Sequence, residues 1–167
     1  MYKRQVEETG ADPGRLCLEI TEGPMHIEVE SIWWTLRKAK ELGLQLALDE
    51  FGTGYSTFDY VRKFELDILK IAKVFVDRVS DPGDLAIVQQ LIGMAHALDY
   101  VTIAAGVDNA DQAATLAGLN CDLAQGHYWS SAQPPDTIEK LLQRGTIRPS
   151  ANRAKKIDWK APAAPTP

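Results

Sequence analysis

The chain of 167 residues is 45% hydrophobic and 25% charged, which is typical of a soluble globular domain with its own core. No stretch approaches the roughly 20 apolar residues of a membrane helix, and no basic-then-apolar leader opens the chain, so we expect a cytoplasmic protein. The two cysteines, Cys17 and Cys121, have no His/Cys cluster around them, which argues against a disulfide scaffold and a zinc site.

The net charge of −5 is unevenly distributed along the chain. From Thr146 onward there are five Lys or Arg and one Asp, which leaves −9 on the first 145 residues. A body this acidic is a poor surface for nucleic acid. We therefore expect one folded domain over 1–145, with neither a nucleic-acid nor a membrane partner, and a disordered Ala/Pro/Lys-rich tail over 146–167.

Strand and helix patterns alternate along the body. Apolar alternation, as in Leu16, Leu18 and Ile20, predicts strands over 15–22, 44–50, 67–71, 101–107 and 121–129. Helices are predicted from about Glu28 to Gly43, over 56–64, from about Asp84, from the Asn109–Gln112 capping box to Gly118, and from Asp136, which caps with Glu139, to Gly145. Five strands separated by helices indicate parallel β/α units and an α/β fold.

Polar residues occupy an unusual place in these strands. Glu19 and Asp49 lie on the face opposite the strand leucines, although both faces of a parallel strand are normally covered. In a β/α barrel that face is the interior, and polar residues at the carboxyl ends of its strands line the active site. Glu19, Asp49, Lys70 and Gln125 all lie at or near such ends. Each alone could be a satisfied structural group, but their convergence predicts a functional site.

The stretch "LDEFGTGYS", 48–56, continues from the second strand into a glycine loop. Such a loop can cradle phosphate, hold metal or only turn the chain. Gly52 and Gly54 supply backbone conformations that a side chain would forbid, and on spacing alone a tight turn is the simpler interpretation.

Several linked motifs resemble those of one family. "LEITE", "LDEFGTGYST", "DILKIAKVFV", "AAGVDNADQ" and "CDLAQGHYW" occur in the order and spacing of the EAL domain, over roughly 10–143. The EAL domain is the bacterial phosphodiesterase that linearises cyclic di-GMP on a modified β/α barrel. The resemblance therefore implies cyclic di-GMP signalling and a partial (β/α) TIM-like barrel, with about five of the roughly eight β/α units of a complete one.

The resemblance also implies roles for individual residues. Glu19 and Asp49 would be ligands of Mg²⁺ or Mn²⁺, hard cations that prefer oxygen, and Glu50 would serve a second metal. Lys70 would contact the phosphate or the attacking water, and Gln125 would lie near the metal–substrate centre.

A second set of roles concerns the glycine loop. Glu22 would anchor the Gly52–Ser56 loop, including Gly52, Thr53 and Gly54, by accepting hydrogen bonds from its backbone. In the family the corresponding loop closes over the site and touches a dimer partner, which implies a homodimer or a partner chain.

Departures from the family pattern point to a weakened site. Ala105 stands where the family has the Glu assigned to proton transfer, Ala72 replaces an Asp, Glu50 replaces an Asp, and His127 replaces a Tyr and is interpreted as a pocket-edge or packing residue. The Glu-Ala-Leu strand and the strand that carries a ligand Asn are not found in this sequence. We therefore expect weak or lost metal binding, doubtful cyclic di-GMP binding and impaired hydrolysis.

Three alternatives follow from the sequence. The chain is a degenerate module that regulates through nucleotide or protein contacts, a non-functional gene fragment, or an active phosphodiesterase if the missing half is supplied. A five-strand arc would leave the interior-facing residues Ile68, Ile103 and Leu123 without an opposite wall, which predicts association with another chain.

Overall fold

A parallel sheet of five strands organises the chain. The computed structural model describes residues 2–21, 29–54, 61 and 64–145. In this part of the chain the strands are β1 Cys17–Thr21, β2 Gln45–Phe51, β3 Ile68–Ile71, β4 Val101–Ala105 and β5 Leu123–Gln125. All neighbours are parallel, and the order across the sheet follows the order along the chain. Such sequential parallel pairing is how a β/α barrel is wound, and the predicted α/β fold is confirmed.

Helices connect the strands. They are α1 Tyr2–Thr9, α2 Val29–Glu41, α3 Lys73–Asp77, α4 Pro82–Ala97, α5 Ala110–Gly118 and α6 Pro135–Arg144, with a 3₁₀ turn at Pro13–Arg15. No helix in the described ranges is both long enough and apolar enough to cross a membrane. The short helix α3 was not predicted, because it begins directly after β3 without a loop signal.

The two faces of the sheet differ in chemistry. The helix-packed face holds side chains that are at most 1% exposed: Leu46, Leu48, Leu69, Ile71 and Ala104. The other face, here called the inner face, is identified by strand alternation. Its residues are Cys17, Glu19, Thr21, Gln45, Ala47, Asp49, Ile68, Lys70, Val101, Ile103, Ala105, Leu123 and Gln125. Ile68, Ile103 and Leu123 are only half-buried there, and association with another chain stays a prediction.

Of the two helix caps predicted from the sequence, one is confirmed and the other is wrong. The capping box of α5 is confirmed, since Asn109 accepts a hydrogen bond from the Gln112 N–H and Gln112 accepts one from the Asn109 N–H. The predicted cap of α6 by Asp136 and Glu139 is wrong: the helix is preceded by Pro134, which forms no side-chain cap. Its first residue is a second proline, whose fixed φ suits the first helical position, so Asp136 lies inside the first turn.

Several predictions fall on residues that the structure does not describe. They concern Glu22, most of the helix over 56–64, and the tail over 146–167.

The strand predicted over 121–129 is observed only as Leu123–Gln125. Beyond it, isolated backbone hydrogen bonds still connect this part of the chain to Val107, which follows β4. Val107 donates its N–H to the Gln125 carbonyl over 3.0 Å, and Tyr128 donates to the Val107 carbonyl over 3.0 Å.

Gly126 makes this continuation possible. A Cβ at Gly126 would lie 2.1 Å from the Val107 carbonyl oxygen and 2.4 Å from its nitrogen, so there is no room for a side chain. We predict that Gly126→Ala lowers the free energy of unfolding by about 1–3 kcal/mol or more, because backbone atoms must shift. Urea denaturation followed by circular dichroism measures the change.

The matched control is Gly93→Ala in the interior of α4, where an added Cβ meets nothing within 4 Å. This variant is expected to be more stable than the parent by up to about 1 kcal/mol, since alanine is the better helix former. Equal effects of the two substitutions would contradict the packing described for Gly126.

Candidate functional site

A lysine on β3 joins carboxylates from β2, its neighbour in the sheet, and from β1, the strand beyond β2. The Lys70 ammonium donates to Glu19 Oε2 over 2.7 Å and to Asp49 Oδ2 over 2.9 Å. The Lys70 side chain is 5% exposed, whereas those of Glu19 and Asp49 are 48% and 23% exposed. The ammonium therefore lies beneath two carboxylates that are open to solvent. We call these three residues the Lys70 bridge.

Strand register brings the three residues together. Thr21 of β1 is paired with Asp49, and Glu19 is paired with Ala47, so Glu19 and Asp49 are diagonal neighbours on the inner face. Lys70 lies on the next strand, two residues beyond Ile68, which is paired with Ala47. Lys70 therefore lies beside Asp49, and Glu19 is one strand further, about 10 Å from Lys70 at the usual strand spacing of about 4.8 Å, which an extended lysine side chain can span.

A β-bulge shapes the end of β2. Leu48 is paired with Leu69 and Phe51 with Ile71, so β2 has one extra residue between these pairs. The bulge includes Glu50, whose φ of 56° lies in the left-handed region that non-glycine residues rarely adopt. Phe51 returns to the core at 4% exposure. Asp49 and Glu50 are thus both kept out of the core at the same edge of the sheet.

The charges in the Lys70 bridge support one another. Burial alone would lower the pKa of Lys70, but its hydrogen bonds to Glu19 and Asp49 outweigh burial and raise that pKa. Burial alone would raise the pKa of Asp49, but the hydrogen bonds from Lys70 and from the Glu50 N–H outweigh it and lower that pKa. Lys70 and Asp49 therefore form a charged ion pair at neutral pH.

The glycine loop leaves the sheet next to the bridge. Thr53 donates its hydroxyl to the Glu50 carbonyl over 2.8 Å, which closes a turn. Gly52 has a φ of 92°, and a Cβ there would lie 2.9 Å from the Phe75 ring of α3. Gly52 is therefore required by both conformation and space. Gly54 is described at the end of this turn, and the anchoring role of Glu22 stays a prediction.

Gln125 lies on the same face, two strands from Lys70. It is exposed at the carboxyl end of β5 and is paired with Ala105 of β4. Lys70 is paired with Ile103, two residues before Ala105. The methyl group of Ala105 thus occupies the carboxyl end of β4, the strand that lies between Lys70 on β3 and Gln125 on β5.

Sequence reasoning missed a second charged cluster at this edge. Lys73 donates to Asp77 and Asp108 over 2.7 Å each and to the Gly106 carbonyl over 3.2 Å. His127 Nδ1 lies 3.3 Å from Asp108 Oδ1, and the His127 side chain is 73% exposed. His127 is therefore exposed and does not pack in the core, and its interpretation as a pocket-edge residue stays a prediction. The i,i+4 spacing of Lys73 and Asp77 is visible in the sequence, but no spacing rule groups them with residues that follow β4 and β5.

The chemistry of the donors decides whether a divalent metal fits. Oxygens of Glu19 and Asp49 converge on one cation, and carboxylate oxygen is the donor that Mg²⁺ and Mn²⁺ prefer. Within the described ranges, no group of three or more His, Cys, Asp or Glu side chains could hold a metal ion. The donor atoms are therefore of the type that a hard divalent cation prefers. They come from two carboxylates, which do not make a complete set of metal ligands.

The pKa shifts predict how pH acts on stability. Because the folded-state pKa of Asp49 is lowered, its contribution is present above the carboxyl pKa of the unfolded chain, about 3.9, and is lost as pH falls through the folded value. We expect Asp49→Asn to lower the free energy of unfolding by about 1–3 kcal/mol at pH 7, as is typical for loss of a hydrogen bond to a charged group. As the pH falls below about 4, the stability of this variant should decrease less than that of the parent.

Urea midpoints measured from pH 7 to pH 2.5 check this expectation. Asp99→Asn, at an exposed turn residue with a φ of 58°, is the control and should leave the acid limb of the profile unchanged. Parallel pH profiles for the parent and Asp49→Asn would contradict the ion pair.

Comparison with known proteins identifies the family. The model of the EAL domain matches residues 2–132. The cyclic di-GMP phosphodiesterase NbdA of Pseudomonas aeruginosa is 34% identical over 142 residues, which are 84% of this chain and 18% of that protein. The chain thus spans about a fifth of that relative's length.

Solved structures agree with the sequence comparison. The EAL domain of Mycobacterium smegmatis DcpA superposes with a TM-score of 0.81 at 36% identity, over 86% of this chain and 65% of that one. Klebsiella pneumoniae BlrP1, solved with manganese and cyclic di-GMP, superposes with a TM-score of 0.73 at 24% identity, over 78% of this chain and 33% of that one, and supports the fold. With its sequential parallel sheet and a match over most of its length, the chain belongs to the EAL domain family.

Proposed function

We propose that this chain acts in cyclic di-GMP signalling as an EAL domain whose phosphodiester hydrolysis is impaired. The observation that carries the proposal is the Lys70 bridge, which places a buried cation and two solvent-facing carboxylates at the carboxyl ends of adjacent strands. Such ends are where β/α barrels hold their active sites. The relative named as a cyclic di-GMP phosphodiesterase supports the choice of substrate.

The proposed site has the groups that a phosphodiester requires. Glu19 and Asp49 would hold a divalent cation, with Glu50 next to them for a second one. Bound metal would supply charge neutralisation and an activated water. The Lys70 ammonium would attract a phosphate oxygen, and the exposed amide of Gln125 would donate a hydrogen bond to the same ligand.

Impairment is proposed from Ala105. Hydrolysis by water needs a group that accepts a proton as the oxygen attacks phosphorus, and a methyl group cannot accept one. A positioned general base contributes about 10²–10⁴ to rate, so we expect its loss to take turnover below detection even where ligand binding persists. Ala105 lies at the end of β4, opposite Gln125, which is where a longer acidic side chain could reach the ligand.

The proposal predicts the outcome of a hydrolysis assay. With cyclic di-GMP and Mg²⁺ or Mn²⁺, the chain should form no linear dinucleotide above a heat-denatured control. Ala105→Glu should raise the rate, by up to about 10²–10⁴ if proton transfer alone limits it. Chromatographic quantification of linear product checks both expectations.

Ala114→Glu, at an exposed position of α5, is the matched control and should leave the rate at background. Parent turnover that disappears in Asp49→Ala would contradict impairment. Failure of Ala105→Glu to exceed the parent would contradict Ala105 as its cause.

A further inference from the structure

We propose that Lys70 is an internal competitor for the divalent cation, so that metal must displace its ammonium from Glu19 and Asp49. The inference rests on the proposed function, because it takes these two carboxylates as the metal ligands. It adds that the affinity of the site for metal is set by the lysine as well as by the ligands themselves.

The contacts of the bridge support competition. The Lys70 ammonium lies within 2.9 Å of one oxygen from each carboxylate, which is the position that a shared cation would take. Asp49 also uses its other oxygen to accept the Glu50 N–H over 2.9 Å. A cation arriving from solvent therefore meets an Asp49 carboxylate whose two oxygens already accept hydrogen bonds.

Burial of the Lys70 side chain keeps its ammonium next to the carboxylates. Its side chain is 5% exposed and is held on the inner face of β3, so the ammonium reaches the carboxylates from within the fold. The carboxylates are the more exposed partners, so metal approaches from the opposite side. Metal and ammonium would then repel each other across a few ångströms in a partly desolvated site, and this repulsion weakens metal binding.

Displacement has a consequence for the nucleotide. An ammonium that loses its carboxylate partners in a buried position needs another anion, and a phosphodiester oxygen supplies one. Metal binding and phosphate binding would thus favour each other through Lys70. The coupling is reciprocal by thermodynamic necessity.

Metal titration without nucleotide tests the competition directly. Isothermal calorimetry with MnCl₂ compares the parent with Lys70→Met and with Lys70→Gln, which keeps a neutral hydrogen-bond donor between the carboxylates. We expect both variants to bind Mn²⁺ at least tenfold more tightly than the parent. Lys70→Arg, which keeps the charge, should bind no more tightly than the parent.

A matched control comes from the second cluster. Lys73 also bridges two carboxylates, at 2.7 Å from Asp77 and 2.7 Å from Asp108, but it is 52% exposed. Lys73→Met should leave the Mn²⁺ affinity unchanged. Adding Asp49→Asn to Lys70→Gln should abolish the gain.

Thermal unfolding with and without Mn²⁺ gives an independent reading, because a ligand that binds the folded state raises its melting temperature. The rise should be larger for Lys70→Gln than for the parent. Equal or weaker Mn²⁺ binding by the uncharged variants, or no binding to any variant, would overturn the inference. Failure of cyclic di-GMP to bind, or its hydrolysis by the parent, would count against the proposed function and leave this result intact.

Discussion

A buried ammonium between two carboxylates is the interaction on which the site depends. A charge taken out of water is costly unless it is paired, so Lys70 requires Glu19 and Asp49, and these come from different strands. The pairing therefore constrains β1, β2 and β3 to one register. The same constraint concentrates negative charge at the solvent-facing edge of the sheet, where a divalent cation or a lysine can neutralise it.

The backbone around this pair is shaped to expose acids next to a packed core. One extra residue in β2 returns Phe51 to the helix side and leaves Asp49 and Glu50 at the edge. Gly52 then turns the chain over the Phe75 ring, where a side chain has no room. Strand β4 contributes a different feature, because Ala105 ends it with a methyl group opposite Gln125. The edge thus presents the two carboxylates and the lysine of the bridge, whereas β4 ends in a residue with no acidic group.

Much of this arrangement could be predicted from the sequence. Alternation along the strands placed Glu19, Asp49 and Lys70 on one face, and parallel pairing placed them at one edge. The bulge at Glu50 could not be predicted, because no glycine marks its left-handed φ. The start of α6 was missed because Pro135 opens the helix ahead of the better capping residue, Asp136. Two partners of Lys73, Gly106 and Asp108, lie in the segment after β4, and only the fold determines the position of that segment relative to Lys73.

A double-mutant cycle between Lys70 and Asp49 tests the central interaction most directly. Free energies of unfolding in urea at pH 7 would be measured for the parent, Lys70→Met, Asp49→Asn and the double variant. The bridge predicts that the sum of the two single losses exceeds the loss in the double variant by about 0.5–3 kcal/mol, the range for contacting residues in one network. Additive losses, with a coupling energy near zero, would contradict a buried ion pair at the centre of this site.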